Sequence, residues 1–144
     1  MQKEQILKNM RRRAEEGEAE VQNDLAAMLA TGSFDFTDET EARRWYTLAA
    51  RQGYIASKWN LATMLLNGEG GPKDVGKAMF LIEQSAREGE VSACWFLRDM
   101  YRYGGRSSTE PDEAKALQWD ELAEDFIARD IEKIPIFGDP LPDL

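Results

Sequence analysis

Apolar residues recur along this chain at steps of three and four. Between Gly53 and Gly68, Ile55, Trp59, Ala62 and then Leu65 or Leu66 share one face of a helix, where a half-buried strand would show strict alternation. Gly68, Gly70, Gly71 and Pro72 break that pattern. Asp74 follows at the place where a carboxylate accepts an unpaired backbone N–H at a helix start. Ala78, Leu81, Ile82, Ser85 and Ala86 line a second helical stripe, which stops at Gly89, a residue suited to the left-handed turn just past a helix end. The stretch 53–88 therefore predicts two helices joined by a glycine-rich turn.

The same pattern recurs. Gly17, Gly53 and Gly89 are spaced by 36 residues, and Leu25, Leu61 and Leu97, Met28, Met64 and Met100, and Gly32, Gly68 and Gly104 keep that register. Asp38 and Ala42 match Asp74 and Ala78 at 36; the third copy matches at 38, through Asp112, Ala116, Trp119 and Ala123. The third loop thus carries two extra residues, placed in the stretch GGRSSTEPD. One helix pair cannot bury its apolar stripe alone, so the copies must stack. Small residues such as Ala49, Ala50, Ser85 and Ala86 let helix backbones approach closely. Residues 3–16 repeat the second helix of a pair, with Ile6 in the Ala42 column and Ala14 in the Ala50 column, and read as an N-terminal cap. The reading is one domain over 1–129, with a cap at 1–16 and repeats at about 17–52, 53–88 and 89–127. Seven helices are expected over about 70% of the residues.

The stretch ARRWYTLAARQGYIASKWNLATMLLNGEGGPKDVGKAMFLIEQSAREGE resembles the Sel-one-like repeat, a relative of the tetratricopeptide repeat. The family's positions fall on Ala42, Trp45, Ala49, Ala50, Gly53, Leu61, Gly68, Gly70 and Asp74. The first loop, GSFDFTDE, lacks the second Gly, and the outer copies look like diverged caps. The resemblance implies an all-α fold, a right-handed α/α superhelix, and a role as an interaction scaffold or adaptor, in bacteria sometimes as an immunity protein against a secreted toxin.

Composition narrows the chemistry. The 144 residues include no His and one Cys, which removes Ser/His triads, Cys/His dyads, His-containing zinc sites and disulfide scaffolding. Cys94, between Ala93 and Trp95, reads as a small buried thiol. No cofactor and no metal are expected. The net charge of −9 argues against nucleic acid as partner. Neither a signal-peptide-like apolar run nor a membrane span is visible, and a soluble, cytoplasmic protein is expected. The run Arg11, Arg12, Arg13 beside Glu15 and Glu16 reads as a solvated helix face rather than a phosphate patch.

The acid lies toward the C-terminus: residues 120–144 hold eight acidic and two basic side chains. Residues 130–144, DIEKIPIFGDPLPDL, contain three of the five prolines and form an acidic tail that cannot be a regular helix. A protein partner then has two candidate sites. By the family pattern, the first helix of each pair turns Asp24, Asn60 and Phe96, then Ala27, Thr63 and Asp99, then Thr31, Asn67 and Tyr103, toward the concave side. Phe96 and Tyr103, seven residues apart on one helix face, are the aromatic anchors there. The alternative for this third helix is that the tail covers it, with Ile134, Ile136 and Phe137. The second site is the acidic end, Asp120, Glu121, Glu124 and Asp125, suited to a basic partner such as a nuclease toxin. Trp45, Trp59, Trp95 and Trp119 are assigned to the core. A carboxylate-based hydrolase is the remaining alternative; the chain is read as not an enzyme.

Overall fold

The computed structural model describes residues 2–104, 110–129 and 135–141, apart from the side chain of Phe34. Among the described residues seven α-helices follow one another: α1 (Gln2–Glu15), α2 (Ala19–Thr31), α3 (Glu39–Arg51), α4 (Ile55–Asn67), α5 (Val75–Glu88), α6 (Val91–Tyr103) and α7 (Glu113–Ala128). Among the described residues there is no strand, only an isolated antiparallel bridge between Tyr54 and Phe137. Asp38, Asp74 and Asp112 precede α3, α5 and α7, and each accepts the N–H three residues on, from Glu41, Lys77 and Lys115, at 3.0, 3.0 and 3.1 Å. One capping interaction thus starts the second helix of every pair. The loop residues 105–109, where the two extra residues are expected, lie outside the described ones.

Helix pairs α2–α3, α4–α5 and α6–α7 make the closest contacts, and each pair packs on the next through α3–α4 and α5–α6. The turn between pairs is very short, and its glycine column explains itself: Gly17, Gly53 and Gly89 have φ of +98°, +95° and +120°, a region L side chains adopt only under strain. In the first loop, where the second Gly is absent, Asp35 takes φ +66° instead.

Two layers result. Asn23 on α2 accepts from Ser57 and Asn60 on α4 at 2.8 and 3.3 Å, and Trp59 on α4 stands edge-on to Phe96 on α6 at 6.0 Å, so α2, α4 and α6 lie side by side. In the other layer Arg11 of α1 forks onto Glu41 of α3 at 2.9 and 3.0 Å, Arg43 of α3 donates to the Pro72 carbonyl ahead of α5 at 2.6 Å, and Arg87 of α5 covers Trp119 of α7. The core between the layers is built of Leu25, Leu29, Leu61, Leu65, Leu81, Ile82 and Leu97, with fully buried Ala42, Ala50, Ala62, Ala78, Ala86 and Ala123 where backbones approach. Such packing places every pair's stripe against a neighbour's, which a lone pair lacks.

Three expectations need correction. On α1 Leu7 is buried while Ile6 is 43% exposed, although Ala14 is buried as its column expects. Of the four tryptophans, Trp45 and Trp119 are buried, Trp59 is half-buried, and Trp95 is 42% exposed. Phe96 of the following repeat covers Trp59, but no described helix follows α7 to cover Trp95. Finally, the described part of the tail, residues 135–141, does not lie over α6. Ile136 and Phe137 are 60% and 49% exposed, Ile134 lies outside the described residues, and residues 135–141 run instead along the turn between α3 and α4.

The arginine run is a paired surface. Arg11 bonds Glu41, Arg12 bonds Glu16 and Asn9, and Arg13 bonds Glu18. The Arg11 guanidinium, by its hydrogen bonds, holds the Glu41 carboxyl below the usual carboxylate range, helped by the Trp45 indole N–H. A lowered folded-state value stabilises the fold at pH above the unfolded carboxyl value, and that contribution is lost as pH falls through the lowered value. Glu41→Gln is therefore expected to lower stability at pH 7 by about 0.5–1 kcal/mol, a modest figure because Arg11 is partly solvated. Thermal melts of both proteins from pH 7 down to pH 3 should show the difference shrinking; a constant gap would rule the ion pair out as its cause.

Candidate interaction surface

The first-helix layer carries the predicted concave residues, and its two ends differ. On α4 the polar positions are satisfied within the protein. Asn60 donates to Asn23, the Thr63 hydroxyl donates to the Asn60 carbonyl at 2.8 Å, and Asn67 donates to Glu69 at 2.9 Å. Asp24, Thr31 and Asn67 are exposed, and Ala27, Asn60 and Thr63 half-buried. Residues of this kind lend shape and a polar rim, and hydrogen bonds already made inside the protein leave little for a partner to gain.

The α6 end is different in kind. Tyr103 is 73% exposed, and Trp95, which the repeat columns assign to the core, joins it on the surface. Trp95, Asp99 and Tyr103 stand four apart, and Phe96 stands seven before Tyr103, so all four share one side of α6. Phe96 is half-buried and fixed against Trp59. Arg98 is the hinge of the local charges. Its guanidinium bonds Asp99 at 2.9 Å and Asp120 of α7 at 3.2 Å, and it lies 6.0 Å from the centre of the Trp95 ring. Its pKa is raised, first by the hydrogen bond to Asp99, so it remains a cation. The result is an aromatic patch with an arginine behind it whose charge is held by two carboxylates.

Arg98 also changes the acidic end. Asp120, half-buried, is held by Arg98, and Asp125 by Arg129 at 2.6 Å, so two of the four predicted carboxylates are neutralised within the protein. Glu121 and Glu124 stay exposed and make no ion pair among the described residues. Arg102 bonds Glu113 at 3.2 Å and closes another tie between α6 and α7.

Two groups with reactive potential have shifted pKa values. Burial pushes the Cys94 thiol up to about 11, and its S–H donates to the Ala86 carbonyl at 3.4 Å. Burial raises the pKa of Glu90 as well, against the opposing effect of hydrogen bonds from Ser92, at the start of α6. Among the described residues no three Asp, Glu or Cys side chains converge as a metal site, and no helix is long and apolar enough to cross a membrane.

Sequence columns missed two features. Trp95 was assigned by column, whereas its exposure depends on there being no described helix beyond it. Lys58 is wholly buried on α4 and bonded to Glu88 at 2.6 Å. A signal for it existed: Lys58 stands in the column of Gln22 and Cys94, both buried, and Glu88 stands in the column of Gln52, which bonds Gln22 across the same 30 residues.

Comparison with known proteins agrees with this architecture. A Sel1 repeat protein from Oxalobacter formigenes superposes with a TM-score of 0.73 at 26% identity, over 83% of this chain and 47% of that one. A protective antigen present in uropathogenic Escherichia coli strains, displaying an SLR fold, superposes with a TM-score of 0.72 at 32% identity, over 83% of this chain and 25% of that one. This chain therefore spans less than half the length of either. Comparison with curated proteins finds no match. The Sel1 repeat profile matches residues 19–54, 55–90 and 91–124, the first two units ending within the short turn after a second helix and the third within α7, and on those three contiguous repeats the chain belongs to the Sel1 repeat family.

Proposed function

We propose that this chain is a protein-interaction module that grips its partner with the aromatic end of the α2/α4/α6 layer. The observation that carries this reading is the exposure of Trp95 and Tyr103 on one side of α6, above a Trp59–Phe96 contact that makes the platform rigid. Aromatic side chains on a rigid surface supply large contact area at small cost in conformational freedom, which is why they dominate interface energetics. Asp24, Asn60, Thr63, Asn67 and Asp99 form the polar surround. Repeat scaffolds of this family are generally protein–protein interaction modules.

The partner is a polypeptide with an apolar anchor framed by polar groups. Recovered from a lysate of the source cell and purified, it should bind the Tyr103→Ala chain about 1–2 kcal/mol more weakly than the native one, and Phe96→Ala should weaken binding similarly. Tyr103→Ala should leave the unfolding free energy within about 0.5 kcal/mol, since the ring is mostly in water. Unchanged affinity in both variants would sink the assignment. A narrower reading, neutralisation of a basic toxin at the acidic end, draws support from the exposed Glu121 and Glu124. It makes association depend strongly on salt and on those two residues; the aromatic reading makes it depend weakly on both.

A further inference from the structure

Residues 135–141 lie extended against the turn that joins α3 to α4, and their contacts are those of a bound peptide. Ile55 donates its backbone N–H to the Ile136 carbonyl at 3.0 Å, Gly138 donates to the Gly53 carbonyl at 2.7 Å, and Leu141 donates to the Arg51 carbonyl at 3.1 Å. Asp139 is gripped on both sides of its main chain. Its N–H donates to Glu88 Oε2 at 2.6 Å, and its carbonyl accepts from Lys58 Nζ at 2.7 Å. Lys58 and Glu88 also bond each other, so a buried ion pair reads both polar groups of a single residue.

Side chains contribute at three points. Phe137 stands edge-on to Tyr54 at 5.4 Å, and Leu141 is buried. Gly138 is the third: a Cβ there would collide with the Glu88 carboxylate, whose position is fixed by Lys58 and Asp139, and the Gly138 carbonyl oxygen fills the space a Cβ on Gly53 would need. The Asp139 side chain makes none of these bonds. What the corner recognises is an extended main chain, a glycine, and a leucine three residues later.

We propose that this corner is a second binding site, separate from the α6 surface, for an extended peptide segment of aromatic–Gly–x–x–Leu type, and that the chain's own tail is its resident occupant. Main-chain reading of this kind works for any segment with that spacing, as in other extended-peptide sites. A partner's segment enters only by displacing the tail, whose effective concentration is high because it is tethered. The neutral peptide plane suits the site because the ammonium and carboxylate facing it already cancel.

The test uses the full chain carrying Gly138→Ala, a change confined to the tail that releases it without touching the repeats. The probe is a capped synthetic peptide of residues 135–141, Pro-Ile-Phe-Gly-Asp-Pro-Leu, titrated while amide NMR signals are followed. Saturable shifts at Ile55 and Lys58 are expected in the variant, with about tenfold or more peptide needed for the native chain, whose tail competes. The same peptide with Ala for Gly should not bind. Absence of shifts in the folded variant, or equal binding of both peptides, overturns the proposal. Amide hydrogen exchange in the native chain covers the case of a variant that does not fold. Gly138 and Leu141 are then expected to exchange about tenfold or more faster than the core helix amides of Leu61 and Leu81, by local opening; exchange only through global unfolding makes the tail part of the core and overturns the proposal equally.

Discussion

Replacing Lys58 by Met should destabilise the protein by about 3–5 kcal/mol, the usual cost of removing one partner from a buried ion pair. Methionine conserves the volume of the lysine stem, so cavity formation adds little. What remains is the Glu88 carboxylate, mostly buried and facing no cation, together with an Asp139 carbonyl that has lost its donor. The double variant Lys58→Met, Glu88→Gln should recover most of the loss. Glutamine still accepts from the Asp139 N–H, and no uncompensated charge is left. Urea unfolding of the two variants and the native chain reads both statements. A single variant within about 1 kcal/mol of native would mean that the carboxylate escapes to solvent and that the pair holds nothing together.

The tryptophans give the second large effect. Trp45 is 3% exposed, packed in the core and hydrogen-bonded through its indole N–H to Glu41 at 3.2 Å. Its replacement by Ala should cost about 3–5 kcal/mol through lost burial and the cavity left behind. Trp95→Ala should cost less than about 1 kcal/mol, because the ring already faces water on one side. Guanidinium unfolding of the two variants separates them. Equal costs would place Trp95 in the core after all and remove the main support for the aromatic surface on α6.

That contrast shows where sequence reading succeeds and where it stops. The helices, their capping aspartates and the glycine turns repeat in register because each is a local requirement met again in every copy. Trp45 and Trp119 could be placed inward for the same reason: both fall in a column whose neighbours come from within the pair and the pair before. Trp59 and Trp95 fall in a column whose cover comes from the following pair, so identical sequence positions have different fates at the middle and the end of the stack. The tail escaped prediction on other grounds. It has no helical period, its contacts are mostly backbone to backbone, and its anchor is Leu141 rather than Ile136 or Phe137. Among the proposed surface residues, Asp125 has its partner Arg129 four residues on in the same helix, a spacing legible in the sequence, whereas Arg98, the partner of Asp120, becomes evident only once α6 and α7 are packed together.

A stack of identical units has no intrinsic length, since each pair offers the next the same surface. The seated tail supplies a gauge. From Arg129 to Pro135 the chain takes six steps, which even fully extended reach about 20 Å. One more helix pair between the α3–α4 turn and the end of α7 would move the origin of that link farther away by about one helix packing distance, ~10 Å. Each added unit would thus consume about half of the link's whole reach. Each added pair thus makes it harder for the tail to reach Lys58 and Glu88, so the length of the array and the seating of the tail are measured against each other.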